Sequence, residues 1–149
     1  MKIAFFDFDG TITKKDSLFD FIKYSCGIKN LILGLILRSP FLLAFKLGFI
    51  NNQNAKEKLI EYFFCGWNYK AFKEIADKYS RERIDEIVKI DALKEIKWHK
   101  ENGHEVVIVS ASIENWLEKW CEKNDIKLIA TKLEVKNNFI TGKFSTKNC

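Results

Sequence analysis

Apolar residues fall along this chain in two different rhythms. Ile3-Ala4-Phe5-Phe6, Val106-Val107-Ile108-Val109 and the shorter stretch 127–131 are compact apolar runs. Runs of this kind predict strands buried on both faces, as in a parallel sheet. Residues 14–90 instead show helical spacing. Ser17 is positioned to cap a first helix carrying Leu18, Phe19, Phe21 and Ile22, which stops near Gly27. Ala55, Leu59, Ile60 and Phe63 share one face of a later helix. Asn68 is placed to cap the next, with Tyr69, Phe72, Ile75, Ala76 and Tyr79 inward. Ile84, Ile87 and Val88 carry the spacing on toward the next unit.

Beyond residue 90 the rhythm alternates. A helix capped by Asp91 is expected through about Asn102, ended by Gly103. The second strand follows, from Glu105 to Val109, and runs into Ser110-Ala111-Ser112. Ile113, Trp116, Leu117, Trp120 and Cys121 then form a helical stripe packed on the sheet. Leu133–Lys136 and Phe139–Phe144 flank Asn137-Asn138, which predicts a hairpin. Strand, long helical insertion, helix, strand, helix, strand and hairpin describe an α/β core, because parallel strands need crossover connections.

The stretch 31–50 changes the picture only in part. Its longest apolar run is residues 31–37, with one Gly inside, against about 20 residues for a spanning helix. Arg38 and Lys46 would each cost about 2.5–3.5 kcal/mol near a bilayer centre, and Ser39-Pro40 predicts a break between two short helices. An αα-hairpin is one reading. A greasy surface that leans on a membrane, with Arg38 and Lys46 snorkelling, is the other.

Composition sets broader bounds. At 149 residues, 47% hydrophobic and 30% charged, the chain can bury a core. A net charge of +5 suits an anionic substrate without requiring nucleic acid. The N-terminus lacks a signal-peptide pattern, since Asp7 and Asp9 interrupt it, and a cytoplasmic location is expected. Cys26, Cys65, Cys121 and Cys149 lie far apart, which favours reduced, buried thiols over disulfides.

The candidate chemistry sits at the end of the first strand, in Asp7-Phe8-Asp9-Gly10-Thr11-Ile12-Thr13. Two carboxylates leave the strand together and Gly10 permits a sharp turn. Ligands of open α/β sheets bind beyond the carboxyl ends of the strands. Asp7 is suited to act as a carboxylate nucleophile, and Asp9 to pass a proton to the leaving group and then take one from water. Two close acids repel when ionised, and Mg²⁺ relieves this while taking oxygen ligands from Asp7 and Asp9. Ser110, at the tip of the second strand, can bond a phosphate oxygen with its hydroxyl. The backbone of Ala111 and Gly10 lies nearby, and a helix starting near Ile113 would turn its positive end the same way. Ser110 or Ser112 acting merely as a helix cap is the plainer alternative. His99 and His104 flank Gly103 at a helix end and receive no catalytic role. Trp116 and Trp120 are core by their spacing.

Asp7-Phe-Asp-Gly-Thr-Ile-Thr resembles the first motif of the haloacid dehalogenase superfamily, and the apolar strand ending in Ser110 resembles the second. Asp16-Ser17-Leu18, the run 103–113, Trp116-Leu117, Ala130–Val135 and Ile140–Phe144 are similar to the phosphoserine phosphatase-like branch with a helical cap. The resemblance implies a Rossmann-like core of residues 1–15 and 91–149 and a cap of residues 16–90. It also implies a Mg²⁺-dependent phosphomonoester hydrolase working through an aspartyl-phosphate, with the Asp9 backbone carbonyl as a further metal ligand. Substrates would be phosphorylated small molecules or lipid head groups. The family's third motif, a Lys, and its fourth, an acidic pair, find no counterpart before Cys149; Lys143 and Lys147 read as solvated charges. Two readings therefore stand beside the phosphatase: a fragment or non-catalytic module that binds phosphate, and a membrane-surface lipid-phosphate phosphatase. The family's later strands flank the first, so Ile3–Phe6 is expected to be an uncovered edge, to be closed by a further segment or by a homodimer.

Overall fold

The computed structural model describes residues 2–49 and 51–146. Strand β1 (Ile3–Phe6) is followed by a tight turn over Phe8–Ile12 and then by five helices. These are α1 (Ser17–Cys26), α2 (Ile28–Lys46), α3 (Asn52–Phe64), α4 (Tyr69–Glu82) and the single turn α5 (Ile84–Ile87). Helix α6 (Ile90–Glu101) leads into β2 (Glu105–Ile113). A short turn and α7 (Glu118–Lys123) precede β3 (Lys127–Thr131), and β4 (Leu133–Lys136) and β5 (Phe139–Phe144) close the chain.

The three core strands form one parallel sheet in the order β1-β2-β3, with Ile3 level with Glu105 and Phe6 with Ile108. The protein is α/β, as expected. Both crossovers step across the sheet in the same direction, and right-handed crossovers then place α6 and α7 on one face. That face carries Ala4, Phe6, Val106, Ile108 and Ala130, of which Val106, Ile108 and Ala130 are buried. Ile3, Phe5 and Ile129 point the other way and are exposed, Phe5 by 65%. β1 ends the sheet, as the family resemblance implies.

The hairpin forms as read, with Asn137 and Asn138 at positive φ, the geometry of a two-residue turn matching the strand twist. It packs on α3 and is bonded to the loop before α4, where Gly66 N–H donates to Ile140 O at 2.8 Å. The two passages linking the helical insertion to the sheet run side by side. Lys14 N–H donates to Ile87 O and Lys89 N–H to Ile12 O, both at 2.8 Å.

Several expectations need correction. α2 is a single helix, not two: Pro40 lies inside it, on an exposed flank where the Ile36 carbonyl that loses its donor can meet water. The cap of α1 is Asp16, whose carboxylate accepts from Leu18 N–H at 2.9 Å, so Ser17 is released for another partner. Asp91 lies within the first turn of α6 and pairs with Lys94; the cap position is Lys89. β2 continues past Ser110 to Ile113, through an irregularity in its pairing with β3. Trp116, Leu117, Trp120 and Cys121 are all buried, yet they come from a short turn and the six-residue α7, not from one helix. Cys121 is buried, its thiol pushed up to about 12 by burial, but Cys65 is exposed and Cys26 half-buried. Lys147 and Cys149 lie outside the described residues.

Candidate functional site

The site begins where β1 ends. Asp7 continues the strand in an extended conformation and is exposed; one of its carboxylate oxygens accepts the Phe8 N–H at 2.7 Å. Among the described residues no hydrogen bond reaches the other oxygen. The chain then folds back on itself, with Gly10 at φ +80°, and Thr13 N–H closes the turn onto Phe8 O at 3.1 Å. A side chain at Gly10 would be strained by that φ although space is open around it.

Asp9 is held very differently. Ser17 N–H donates to Oδ1 at 2.7 Å, and the Ser17 hydroxyl lies 3.2 Å from Oδ2. The Ser112 hydroxyl donates to the same Oδ2. Ser17 and Ser112 hydroxyls are 2.9 Å apart, and the Trp116 indole N–H donates to Ser17 Oγ at 3.2 Å. Asp9 is thus anchored from the start of α1, from the end of β2 and, through Ser17, from the buried indole. The serines suit both protonation states, since a hydroxyl donates to a carboxylate and accepts from a carboxylic acid.

Ser110 is buried beneath this network, and its Oγ accepts the Ser112 N–H at 3.0 Å. That uses a lone pair and not the hydroxyl proton. The helix proposed to point at a phosphate from Ile113 is absent there, because the strand runs on, so no helix end strengthens the Ser110 position. Ala111 offers its carbonyl to Lys56 Nζ and Thr131 Oγ1, each at 3.2 Å. Lys89 Nζ donates to the Gly10 carbonyl. Two cations are therefore bonded to backbone at the site, Lys56 from α3 and Lys89 from the passage into α6. Lys143, by contrast, is an exposed partner of Glu57 at 3.8 Å.

Asp16 lies at the rim, its carboxyl raised above the usual range by burial and by the Asp9 charge, with Lys56 opposing. The slot between Ser112, Ala111, Lys56, Leu18, Trp116 and Phe144 holds about 10 Å³, room for one water. The open side of the site is the one where Asp7 and Gly10 are exposed.

The site can be tested for Mg²⁺ on its donors. Asp7 presents an exposed carboxylate with one oxygen uncommitted, and Mg²⁺ is commonly held by one or two protein oxygens with water and substrate phosphate completing its shell. No group of three or more His, Cys, Asp or Glu side chains gathers among the described residues. The Asp9 carboxylate is committed to Ser17 and Ser112, so a metal would use Asp7 and the Asp9 carbonyl. The donors fit on that basis.

Ser17, Ser112, Trp116, Lys56 and Lys89 received no site role from the sequence. Only the serines carried a usable signal, since both read as caps and neither caps a helix.

A family model for haloacid dehalogenase-like hydrolases matches residues 4–149. The chain belongs to that family. A curated relative, the "Inhibition of morphological differentiation protein" of Streptomyces azureus, is 33% identical over 114 residues, covering 73% of this chain and 40% of that protein. A Bordetella pertussis Tohama I protein of unknown function superposes with a TM-score of 0.80 at 17% identity, over 99% of this chain and 67% of its own. A phospho-aspartyl intermediate analogue of phosphoserine phosphatase superposes with a TM-score of 0.62 at 21% identity, over 96% of this chain and 62% of its own. The chain thus spans less than half of the curated relative it matches, and the structural likenesses establish the fold.

Proposed function

We propose that the chain carries the catalytic carboxylates of a phosphomonoester hydrolase, Asp7 as the nucleophile and Asp9 as the group that handles protons. The observation that carries this reading is the contrast between the two aspartates: Asp7 is open to a ligand, while Asp9 is fixed by Ser17 and Ser112 two residues later. An open carboxylate is placed to attack, and an oriented one to handle protons.

In the first step an Asp7 oxygen attacks phosphorus, a P–O bond forms to the carboxylate, and the ester P–O bond breaks. Asp9 gives its proton to the departing alkoxide. In the second step Asp9 takes a proton from water as the water oxygen attacks the same phosphorus, releasing phosphate and restoring Asp7. Ser17 and Ser112 keep the Asp9 carboxyl oriented through both steps by switching between donor and acceptor. The Ser110 hydroxyl and the backbone near Gly10 and Ala111 would hold phosphoryl oxygens. Asp7 and the Asp9 carbonyl would hold Mg²⁺, which would supply positive charge against the phosphate. Lys56 and Lys89 add positive charge near the site, which suits an anionic substrate.

The test is turnover of p-nitrophenyl phosphate with Mg²⁺ by the chain and its Asp7→Asn variant, with folding checked by circular dichroism. Wild-type turnover that Asp7→Asn abolishes is the expected result; equal rates would sink the nucleophile assignment. A wild type that binds phosphate without turnover would instead make this chain a phosphate-binding module.

A further inference from the structure

Helix α2 presents two unlike sides. Leu31, Gly34, Leu35 and Arg38, at i, i+3, i+4 and i+7, form the side facing α3. Gly34 permits the close approach: a Cβ there would lie 2.2 Å from the Phe63 ring. Arg38 is drawn to the same side, its guanidinium 5.2 Å from the Tyr62 ring centre and 5.8 Å from that of Phe41. Arg38 therefore rests on aromatic rings and does not snorkel.

The other side has no cover among the described residues. Ile32, Leu33, Ile36, Leu37 and Leu43 are all exposed, Ile36 by 63%, and so, just beyond the helix, are Leu47 and Phe49, Phe49 by 82%. Spaced along a 19-residue helix, they form a continuous apolar strip of the kind that marks an interaction surface.

Charge says what covers it. No acidic residue occurs between Asp20 and Glu57, whereas Lys23, Lys29, Arg38, Lys46 and Lys56 all lie there. The whole chain has 25 basic and 20 acidic residues, so outside this stretch the two are equal, and the net charge of +5 belongs to it entirely. Lys29 and Lys46 stand in the first and last turns of α2, one at each end of the apolar strip. Lysines at the ends of an apolar strip can keep their ammonium groups at the head-group level while the stems and the strip sink among acyl chains. No helix among the described residues is long and apolar enough to cross a membrane, which leaves lying on one.

We infer that the outer face of α2 docks flat on an anionic lipid surface. This stands independently of the phosphatase reading, because the apolar strip and the two lysines at its ends, Lys29 and Lys46, are not site residues.

Flotation of the full chain with phosphatidylcholine vesicles, with and without phosphatidylglycerol, tests it. Binding is expected to the anionic vesicles, at least tenfold weaker to the zwitterionic ones, and weakened by salt. Ile36→Glu with Leu37→Glu should lower anionic-vesicle binding at least tenfold, because burial of each apolar side chain is worth about that factor or more. Should that variant misfold by circular dichroism, Lys29→Glu with Lys46→Glu, which leaves the apolar strip intact, should erase the anionic preference instead. Absence of binding to the anionic vesicles overturns the inference. So does a concentration-dependent dimer, broken by the Ile36 and Leu37 changes, that ignores vesicles, for the strip would then cover a second copy of the chain.

Discussion

Phe21 and Phe5 carry the same side chain and differ sharply in cover within one molecule. Phe21 is wholly buried, stacked on Trp116 with ring centres 4.6 Å apart and surrounded by Phe64, Phe72 and Tyr79 at 5.2–5.6 Å. Phe5, in the edge strand, turns toward the face of the sheet away from α6 and α7 and is largely exposed. The aromatic cluster is also where the polar network of the site is rooted, since Trp116 stacks on Phe21 and donates to Ser17. The lesson is that the insertion is not an ornament on the sheet. The side of the sheet joined to the helices holds the contacts that position Asp9, and on the far side Ile3, Phe5 and Ile129 stay exposed.

This comparison is sharpened first by truncating the buried ring. Phe21→Ala should destabilise the chain by about 3–5 kcal/mol, measured as a fall in the urea midpoint with unchanged slope. A loss below about 1 kcal/mol would mean that the cluster is not a cooperative core. The next test separates packing from anchoring. Trp116→Phe keeps an aromatic ring against Phe21 but removes the N–H that reaches Ser17. It should cost about 1–3 kcal/mol, and phosphatase turnover should fall more steeply than substrate affinity, because Asp9 loses an indirect support. An unchanged rate with the stability loss present would reduce Trp116 to a purely structural residue.

The legibility of these features in the sequence divides along physical lines. Local periodicity sufficed for the positions of β1 and β3, the hairpin and the inward faces of α3 and α4, because each depends on neighbours within a few residues. The expectation that β1 and β3 are buried on both faces failed, since Ile3, Phe5 and Ile129 lie on a face that no helix covers among the described residues. That the chain after β1 meets the end of β2 follows from the chain order of an α/β sheet, which puts strand ends together, and the structure brings Asp9 and Ser112 into contact. The Asp9 network as a whole was not legible, since it joins Ser17, Ser112 and Trp116 across 8 to 103 residues of sequence. Serines next to helices look alike whether they cap or reach elsewhere. Lys56 and Lys89 were hidden for the same reason, being ordinary lysines until the helices folded them onto the carbonyls of Ala111 and Gly10. Pro40 does not break α2 because its flank of the helix faces solvent, a feature that residues 31–50 alone do not reveal.

The smallest effect belongs to the bare face. Phe5→Ser removes a large apolar group that is already mostly in water, so stability should change by less than about 1 kcal/mol. Any loss arises from strand preference and from contact with neighbours in the sheet, not from an opened cavity. An uncovered edge strand with an apolar flank invites pairing with another chain, so the variant should self-associate less than the wild type in sedimentation velocity at matched concentrations. Urea midpoints at two protein concentrations complete the test. A wild-type midpoint that rises with concentration while that of Phe5→Ser does not would show that a second copy covers Ile3–Phe6. If Phe5→Ser cost as much as Phe21→Ala at every concentration, the two rings would be equally covered in solution, and the contrast between the two sides of the sheet would fail.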